Sequence, residues 1–156
     1  MAKAKIRGII FDLGNVLINF DHFFAARKVA ALTSLTPQDI YGLFFNSKIT
    51  KKFEEGKILP KKFFIEVKKK LKLKINYQEF LPIWNEIFFL TADNRKVLDL
   101  VKALNKKYSL AMLSNINVLH YEYLKKEFPV FGAFDYIFPS FRMGFIKLFH
   151  CLSSKK

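Results

Sequence analysis

Apolar residues of this chain gather into short runs typical of β-strands, and these runs alternate with stretches of helical spacing. Three runs predict strands, at residues 6–12, 108–113 and 136–138. A helix is predicted between the second and third strands, over residues 118–128, where Pro129 ends it. Another is predicted over residues 93–107, with Asp93 as its N-terminal cap. Strands that alternate with helices in this order predict an α/β fold with a parallel sheet.

A long stretch after the first strand departs from this alternation. Residues 19–90 show helical periodicity that is interrupted several times, which predicts four or five short helices. The residues that interrupt it are Pro37, Gly56, Pro60 and Pro82. The stretch leaves after the first strand and returns before the helix at 93–107. We therefore predict a helical cap, residues 19–90, inserted above an α/β core made of residues 1–18 and 91–156.

Composition narrows the class of protein. With 156 residues, 51% of them hydrophobic, the chain can bury a core, which excludes a disordered chain. The single cysteine, Cys151, excludes a disulfide framework and is typical of the cytoplasm, where we expect the protein to reside. No apolar run reaches the roughly 18 uncharged residues of a membrane span, so no membrane partner is expected.

The net charge of +14 is concentrated in residues 48–74, which contain eleven lysines and three glutamates. A lysine-rich helical face is most often simply solvated. The alternative is attraction of an anion, either a phosphorylated substrate or nucleic acid. The segment contains no arginine, the residue that makes bidentate contacts to bases and phosphates. Nucleic acid is therefore the weaker of the two interpretations.

Polar side chains follow each predicted strand. Asp12 ends the first strand, Ser114 and Asn115 follow the second, and Lys147 comes shortly after the third. The carboxyl ends of parallel strands meet at one edge of a sheet, where open α/β sheets bind their ligands. An aspartate there is often only a turn former or helix cap. A buried carboxylate nevertheless costs free energy unless it is paired, so Asp12 is the first candidate for chemistry.

A carboxylate, a hydroxyl with an amide, and an ammonium group together suit phosphoryl transfer. The aspartate can attack phosphorus and form an aspartyl phosphate. The Ser114 hydroxyl, with the N–H groups that open the next helix, can hold the phosphate oxygens, and Lys147 can offset the charge of the transition state. Magnesium, bound by a carboxylate and by carbonyl oxygens, would let the two anions approach each other.

These residues also resemble a known family. FDLGNVLINFD at residues 11–21, with LSNIN at 113–117, resembles motifs one and two of the haloacid dehalogenase-like (HAD) hydrolases. FEEGKI at residues 53–58 is similar to the cap signature of the sugar-phosphate phosphatase branch whose first motif reads DLGNV. FRMGFIK at residues 141–147 resembles the approach to the motif-three lysine. The resemblance extends from about residue 5 to residue 147.

The resemblance implies a Rossmann-like parallel sheet with an inserted helical cap, and Mg²⁺ as the cofactor. It makes Asp12 the nucleophile and a magnesium ligand, and the backbone carbonyl of Gly14 the second ligand. Ser114 and Asn115 would hold the phosphoryl group, and Lys147 would stabilise the aspartyl phosphate and its transition state. The implied substrate is a small phosphorylated metabolite of the sugar-phosphate type.

Two departures from the family pattern affect these expectations. Gly14 stands where phosphatases of this family commonly have the aspartate that serves as general acid, a substitution that the DLGNV branch shares. After Lys147 the family continues with a helix, a fourth strand and an acidic pair that completes the magnesium site, which residues 148–156 do not resemble. We therefore expect a truncated or frameshifted chain whose sheet lacks its C-terminal strands. Its first strand is then an exposed edge open to self-association.

The sequence thus predicts a HAD-like, magnesium-dependent phosphatase that works through an aspartyl phosphate. One alternative is a catalytically inactive fragment of such a phosphatase. The other is a basic nucleic-acid-binding module formed by residues 48–74. A steep dependence of binding to arbitrary duplexes on salt concentration would favour that module.

Overall fold

The computed structural model describes residues 6–45 and 47–147. The strands are β1 (Gly8–Phe11), β2 (Asn19–Phe20), β3 (Phe88–Phe89), β4 (Ser109–Ser114) and β5 (Tyr136–Pro139). The first five α-helices are α1 (His22–Ala30), α2 (Pro37–Phe45), α3 (Lys48–Glu54), α4 (Pro60–Leu71) and α5 (Tyr77–Asn85). The remaining helices are α6 (Ala92–Asn105), α7 (Val118–Glu127) and α8 (Ser140–Met143), with a 3-10 helix at Pro129–Ala133.

The strands β1, β4 and β5 form a parallel sheet with β4 in the middle. Phe11 lies opposite Met112, and Ser114 lies opposite Pro139. All three strands coincide with predicted ones to within two residues, and α6 and α7 are the helices predicted before and after β4. The predicted fold class, an α/β core with a parallel sheet and an inserted helical cap, is confirmed.

The prediction that Asp93 caps α6 is wrong. The cap is Thr91, whose hydroxyl accepts a hydrogen bond from the Asn94 N–H at 3.2 Å, while Asn94 Oδ1 accepts one from the Thr91 N–H at 2.9 Å. This reciprocal pair satisfies two backbone donors at once, which a single aspartate cannot do. Asp93 lies in the first turn and forms an exposed ion pair with Lys96.

Helices cover one face of the parallel sheet. Leu110 and Met112 of β4 are buried there against α6 and α7, in a cluster that includes Val101 and Leu124. Residues of the opposite face are exposed: Ile10 by 68%, Tyr136 by 59% and Phe138 by 44%. Within residues 6–45 and 47–147, β1 pairs only with β4 and is an edge strand. Self-association through this edge stays a prediction, and the predicted anomalous tail, residues 148–156, lies outside the described residues.

The insertion contains the five helices α1 to α5 around an aromatic core of its own. Phe53, Phe63, Phe80 and Trp84 are all at most 1% exposed. The rings of Phe53 and Phe63 stack with their centroids 4.3 Å apart. Such pairs add a specific attraction to the large apolar area that each ring buries.

A short antiparallel pair of strands closes the base of the insertion. Asn19 of β2 pairs with Phe89 of β3, and Phe20 pairs with Phe88. The chain therefore leaves the core and returns to it at the same point. The sequence did not predict this pair, because two residues are too few for a β-type run.

The lysines of residues 48–74 lie mainly on the outer surfaces of the insertion. All except Lys68 are exposed. Lys68 donates a hydrogen bond to the Ile75 carbonyl at 2.8 Å and lies over the Phe64 ring. The exposed lysines therefore form a solvated face, and attraction of an anion to this face stays a prediction. In the described part of the chain, no helix combines the length and the apolar character needed to cross a membrane.

Gly56 marks the tightest contact between the insertion and the core. Its φ is +68°, and a Cβ there would lie 2.1 Å from the Phe141 carbonyl oxygen. Glycine adopts this positive φ without steric cost, and it has no side chain that would clash with the Phe141 carbonyl. The chain that follows helix α3 can therefore lie directly against the backbone of α8.

We expect Gly56→Ala to lower the free energy of unfolding by about 2 kcal/mol or more, because it combines backbone strain with a clash against backbone. Urea denaturation followed by circular dichroism measures the change. Gly42→Ala in α2 is the matched control, since no atom lies within 4 Å of a Cβ there and alanine favours a helix. Equal stability of Gly56→Ala and the wild type would contradict the tight contact.

Candidate active site

An ion pair lies at the carboxyl edge of the sheet. The Nζ of Lys147 is 2.6 Å from Oδ1 of Asp12, and the two side chains are only 17% and 27% exposed. The same Oδ1 accepts a hydrogen bond from the Leu13 N–H at 2.7 Å. Short, partly buried bonds between charged groups are among the strongest in proteins. The structure therefore brings together the first and the last of the predicted site residues.

Asn115 holds the backbone of Lys147 from both sides. Its Oδ1 accepts from the Lys147 N–H at 2.7 Å, and its Nδ2 donates to the Lys147 carbonyl at 2.9 Å. The Lys147 ammonium also donates to the Leu113 carbonyl at 2.8 Å. The side chain of Asn115 thus positions the lysine, a role that the sequence did not indicate.

The loop that follows Asp12 is a compact turn. The Leu13 carbonyl accepts from the N–H groups of Leu17 and Ile18, at 2.9 and 3.1 Å. Asn15 has a φ of +58°, and its N–H donates to the Ile18 carbonyl at 2.9 Å. These bonds use the carbonyls of Leu13 and Ile18 rather than that of Gly14. The Gly14 carbonyl is therefore left out of the bonding that shapes the turn.

A cleft of about 70 Å³ lies between the core loops and the insertion. The core contributes Gly14, Ser114 and Asn115 to its lining, and the insertion contributes Glu54 and His22. Ser114 ends β4 and is only 5% exposed. Asp12 and Lys147 adjoin the cleft through their neighbours Leu13 and Asn115. All the predicted site residues therefore line this cleft or adjoin it.

Solved structures resemble this chain over nearly its whole length, although no family model matches it. The HAD family enzyme BT-2542 of Bacteroides thetaiotaomicron, solved as a magnesium complex, is 26% identical, covers 91% of this chain and 71% of its own, and has a TM-score of 0.78. Its wild-type complex with magnesium and inorganic phosphate is 25% identical over 92% of this chain and 73% of its own, with the same TM-score of 0.78. A predicted HAD-like family hydrolase from Porphyromonas gingivalis is 25% identical over 92% of this chain and 71% of its own, with a TM-score of 0.72.

The chain belongs to the HAD-like hydrolase superfamily. It is an enzyme of the hydrolase type. The L-2-haloacid dehalogenase of Xanthobacter autotrophicus, 14% identical with a TM-score of 0.58, shares the fold. The matched region covers 92% of this chain and 60% of the dehalogenase.

Two histidines of this HAD-like hydrolase line the cleft in their neutral form. Burial lowers the pKa of His22 to about 4 and that of His120 to about 3. The Nε2–H of His120 donates to the Trp84 carbonyl at 2.9 Å, and its Nδ1 accepts from Asn117 Nδ2 at 3.0 Å. His120 also stacks on the Trp84 ring, with centroids 4.7 Å apart. It is therefore a structural link between α7 and the insertion.

Glu54, the last residue of α3, lines the cleft from the side of the insertion. Burial, and then the neighbouring charge of Glu55, raise the pKa of Glu54 from 4.5 to about 7. The backbone carbonyl of Glu54 accepts from the Ser140 hydroxyl at 2.6 Å. Ser140 is fully buried, and its hydroxyl also accepts from the Ile116 N–H at 2.9 Å. One hydroxyl thus joins the insertion to the loops after β4 and β5.

Sequence reasoning missed two residues that support this site. Ser140 followed a predicted strand, but no pattern could show that it bonds to Glu54, 86 positions away. Asn94 donates to the Val16 carbonyl at 3.1 Å and to Asn19 Oδ1 at 3.0 Å, so it steadies the loop that follows Asp12. A local signal existed only for Asn94, as the third residue of a capping box after Thr91.

We expect Glu54→Gln to become more stable relative to the wild type as the pH rises from about 5 to about 8. The folded-state pKa of Glu54 is raised from 4.5 to about 7, so its contribution to stability is complete below pH 4.5 and is lost as the pH rises through 7. A glutamine stays neutral throughout. Urea denaturation of both proteins across this pH range measures the difference.

Asp93→Asn is the control, because Asp93 is exposed, pairs with Lys96 and does not line the cleft. We expect no stabilisation of this variant as the pH rises. A constant difference between Glu54→Gln and the wild type across the whole range would show that Glu54 has an ordinary pKa.

Proposed function

We propose that this HAD-like hydrolase is a magnesium-dependent phosphatase that hydrolyses a small phosphorylated metabolite of the sugar-phosphate type. The observation that carries the proposal is the ion pair between Asp12 and Lys147 at the carboxyl edge of the sheet, next to a cleft lined by Ser114. A carboxylate, an ammonium group and a hydroxyl that lie this close together can all contact one phosphate monoester, which supports the proposal. The related BT-2542 enzyme was solved with magnesium and inorganic phosphate, which supports this choice of chemistry.

The donor set around Asp12 suits magnesium better than a metal that needs many protein ligands. Among the described residues, no group of three or more His, Cys, Asp or Glu side chains converges on one point. Magnesium is commonly held by one or two carboxylates together with substrate phosphate and water. Asp12 and the Gly14 carbonyl are the two oxygen ligands that we propose. When bound, the ion would neutralise part of the charge on the phosphate and on Asp12.

In the proposed mechanism, a carboxylate oxygen of Asp12 attacks phosphorus and the bond to the leaving oxygen breaks. The Ser114 hydroxyl and the N–H of Asn115 hold the non-bridging oxygens of the phosphoryl group as it is transferred. Lys147 balances the charge that develops on these oxygens, and then on the aspartyl phosphate. Water hydrolyses the aspartyl phosphate, which releases inorganic phosphate and restores Asp12.

The division of the chain into a core (1–18 and 91–156) and a cap (19–90) is part of the proposal. Two separate hydrophobic clusters support it, one around the parallel sheet and one within the insertion. We propose that the cap selects the substrate, because the cleft wall opposite Gly14 and Ser114 comes from the insertion.

We expect Asp12→Asn to lower magnesium-dependent hydrolysis of p-nitrophenyl phosphate by about a thousandfold or more, since an amide cannot form the aspartyl phosphate. Asp93→Asn, a change at an exposed aspartate of α6, is the control and should keep full activity. Release of p-nitrophenol measures the rate, and mass spectrometry of acid-quenched enzyme detects the phosphorylated aspartate. A folded wild type without activity would favour the alternative, an inactive member of the superfamily.

The bonds between Asn115 and Lys147 predict that these residues act together. We expect Asn115→Ala to reduce kcat by about tenfold to a hundredfold, because it releases the backbone that carries the ammonium group. In Lys147→Ala the ammonium is absent, so adding Asn115→Ala should cost little more. A double-mutant cycle on kcat measures this coupling, and fully additive effects would contradict it.

A further inference from the structure

Residue 14 cannot carry the proton donor that a phosphatase of this kind needs. A Cβ on Gly14 would lie 2.8 Å from Cε1 of Phe20, so any side chain there displaces that ring. Phe20 is held in turn by contacts with His22 and Phe88, at centroid distances of 4.8 and 6.2 Å. The packing of Phe20 against this loop therefore disfavours an acidic side chain at residue 14. If the leaving oxygen is protonated, the donor comes from another element.

Glu54 is placed to supply that donor. It lines the same cleft as Gly14 and Ser114, on the side that the insertion contributes. Within the described residues, its carboxyl group has no hydrogen-bond or ion-pair partner. Its backbone is fixed from two sides, by Ser140 at its own carbonyl and by the close approach of Gly56 to Phe141. A free carboxyl on a fixed backbone is suited to acting on a bound molecule.

The other titratable groups around the cleft do not fit this role. Both nitrogens of His120 are engaged with Trp84 and Asn117, and burial keeps His22 and His120 neutral at pH 7. Glu55, next along the chain, pairs with Lys57 at 2.8 Å. Asp12 and Lys147 pair with each other. Among the described residues that line the cleft, Glu54 is the only carboxylic acid.

We infer that Glu54 is the general acid and base of the reaction, an inference that rests on the proposed phosphatase function. As Asp12 attacks and the bond between phosphorus and the leaving oxygen breaks, the Glu54 carboxyl gives its proton to that oxygen and the product leaves as an alcohol. The Glu54 carboxylate then takes a proton from the water that attacks the aspartyl phosphate. Inorganic phosphate is released, Asp12 is restored, and Glu54 is again protonated.

The environment of Glu54 supports this cycle. Burial raises its pKa to about 7, so both the acid and its conjugate base are populated near neutral pH. A catalytic group is most effective when its pKa lies close to the working pH. The neighbouring imidazoles carry no charge that would bring the pKa back to its ordinary value.

Two substrates of similar size distinguish this role. Benzyl phosphate releases an alkoxide that needs a proton, whereas p-nitrophenyl phosphate releases a phenolate that is stable without one. We expect Glu54→Gln to reduce kcat/KM for benzyl phosphate by about a hundredfold or more and that for p-nitrophenyl phosphate by less than about tenfold. Glu54→Asp should restore part of the benzyl phosphate activity. Asp93→Asn, at an exposed position outside the cleft, is the control and should leave the ratio of the two rates unchanged.

Each other result has a clear meaning. Equal losses on both substrates in Glu54→Gln would assign Glu54 to structure or binding and overturn the inference. A wild type that cleaves p-nitrophenyl phosphate but not benzyl phosphate would show that no proton donor operates, which also overturns it. A wild type that is inactive on both would instead remove the proposed phosphatase function. Retained p-nitrophenyl phosphate activity in Glu54→Gln also shows that the variant is folded.

Discussion

The parallel register of β1, β4 and β5 decides where the candidate catalytic side chains lie. Because Phe11 pairs with Met112, Asp12 comes level with Leu113, whose carbonyl accepts the hydrogen bond from Lys147. A slip of one residue would turn Leu110 and Met112 from the buried face to the open face and would separate these groups. Burial of apolar side chains on one face of the sheet thus fixes the chemistry at its edge.

Hydrogen bonds within the protein hold the ion pair between Asp12 and Lys147 in place at that edge. The Lys147 ammonium is shared between Asp12 Oδ1 and the Leu113 carbonyl, while Asn115 bonds to the lysine backbone on both sides. A side chain held in this way loses little conformational freedom when an anion arrives, so its charge is available without reorganisation. The predicted attraction of an anion by the net charge of +14 would act at longer range in the same direction.

Features with a local pattern could be predicted from the sequence, and features with only long-range causes could not. The three parallel strands and the two crossover helices follow from apolar periodicity, and Asp12, Ser114 and Lys147 follow from their places after strand ends. The β2–β3 pair was missed because it has two residues on each side. The bond from Ser140 to Glu54 joins residues 86 positions apart, and only the folded chain brings them together. The prediction of Asp93 as the cap of α6 was wrong because the reciprocal bonds between Thr91 and Asn94 depend on both side chains at once.

Placing the proton donor on the insertion would change what the insertion does. With Phe20 packed over Gly14, the core loops would provide the proposed nucleophile and phosphate contacts but no acid. Attack by Asp12 and protonation of the leaving group then depend on different parts of the chain, joined by the buried hydroxyl of Ser140 and the glycine contact at Phe141. Under this proposal, a substrate whose leaving group is an alcohol would react only while the insertion is docked on the core, whereas a substrate with a good leaving group would react without that docking. Docking of the insertion would therefore select substrates by reactivity as well as by shape.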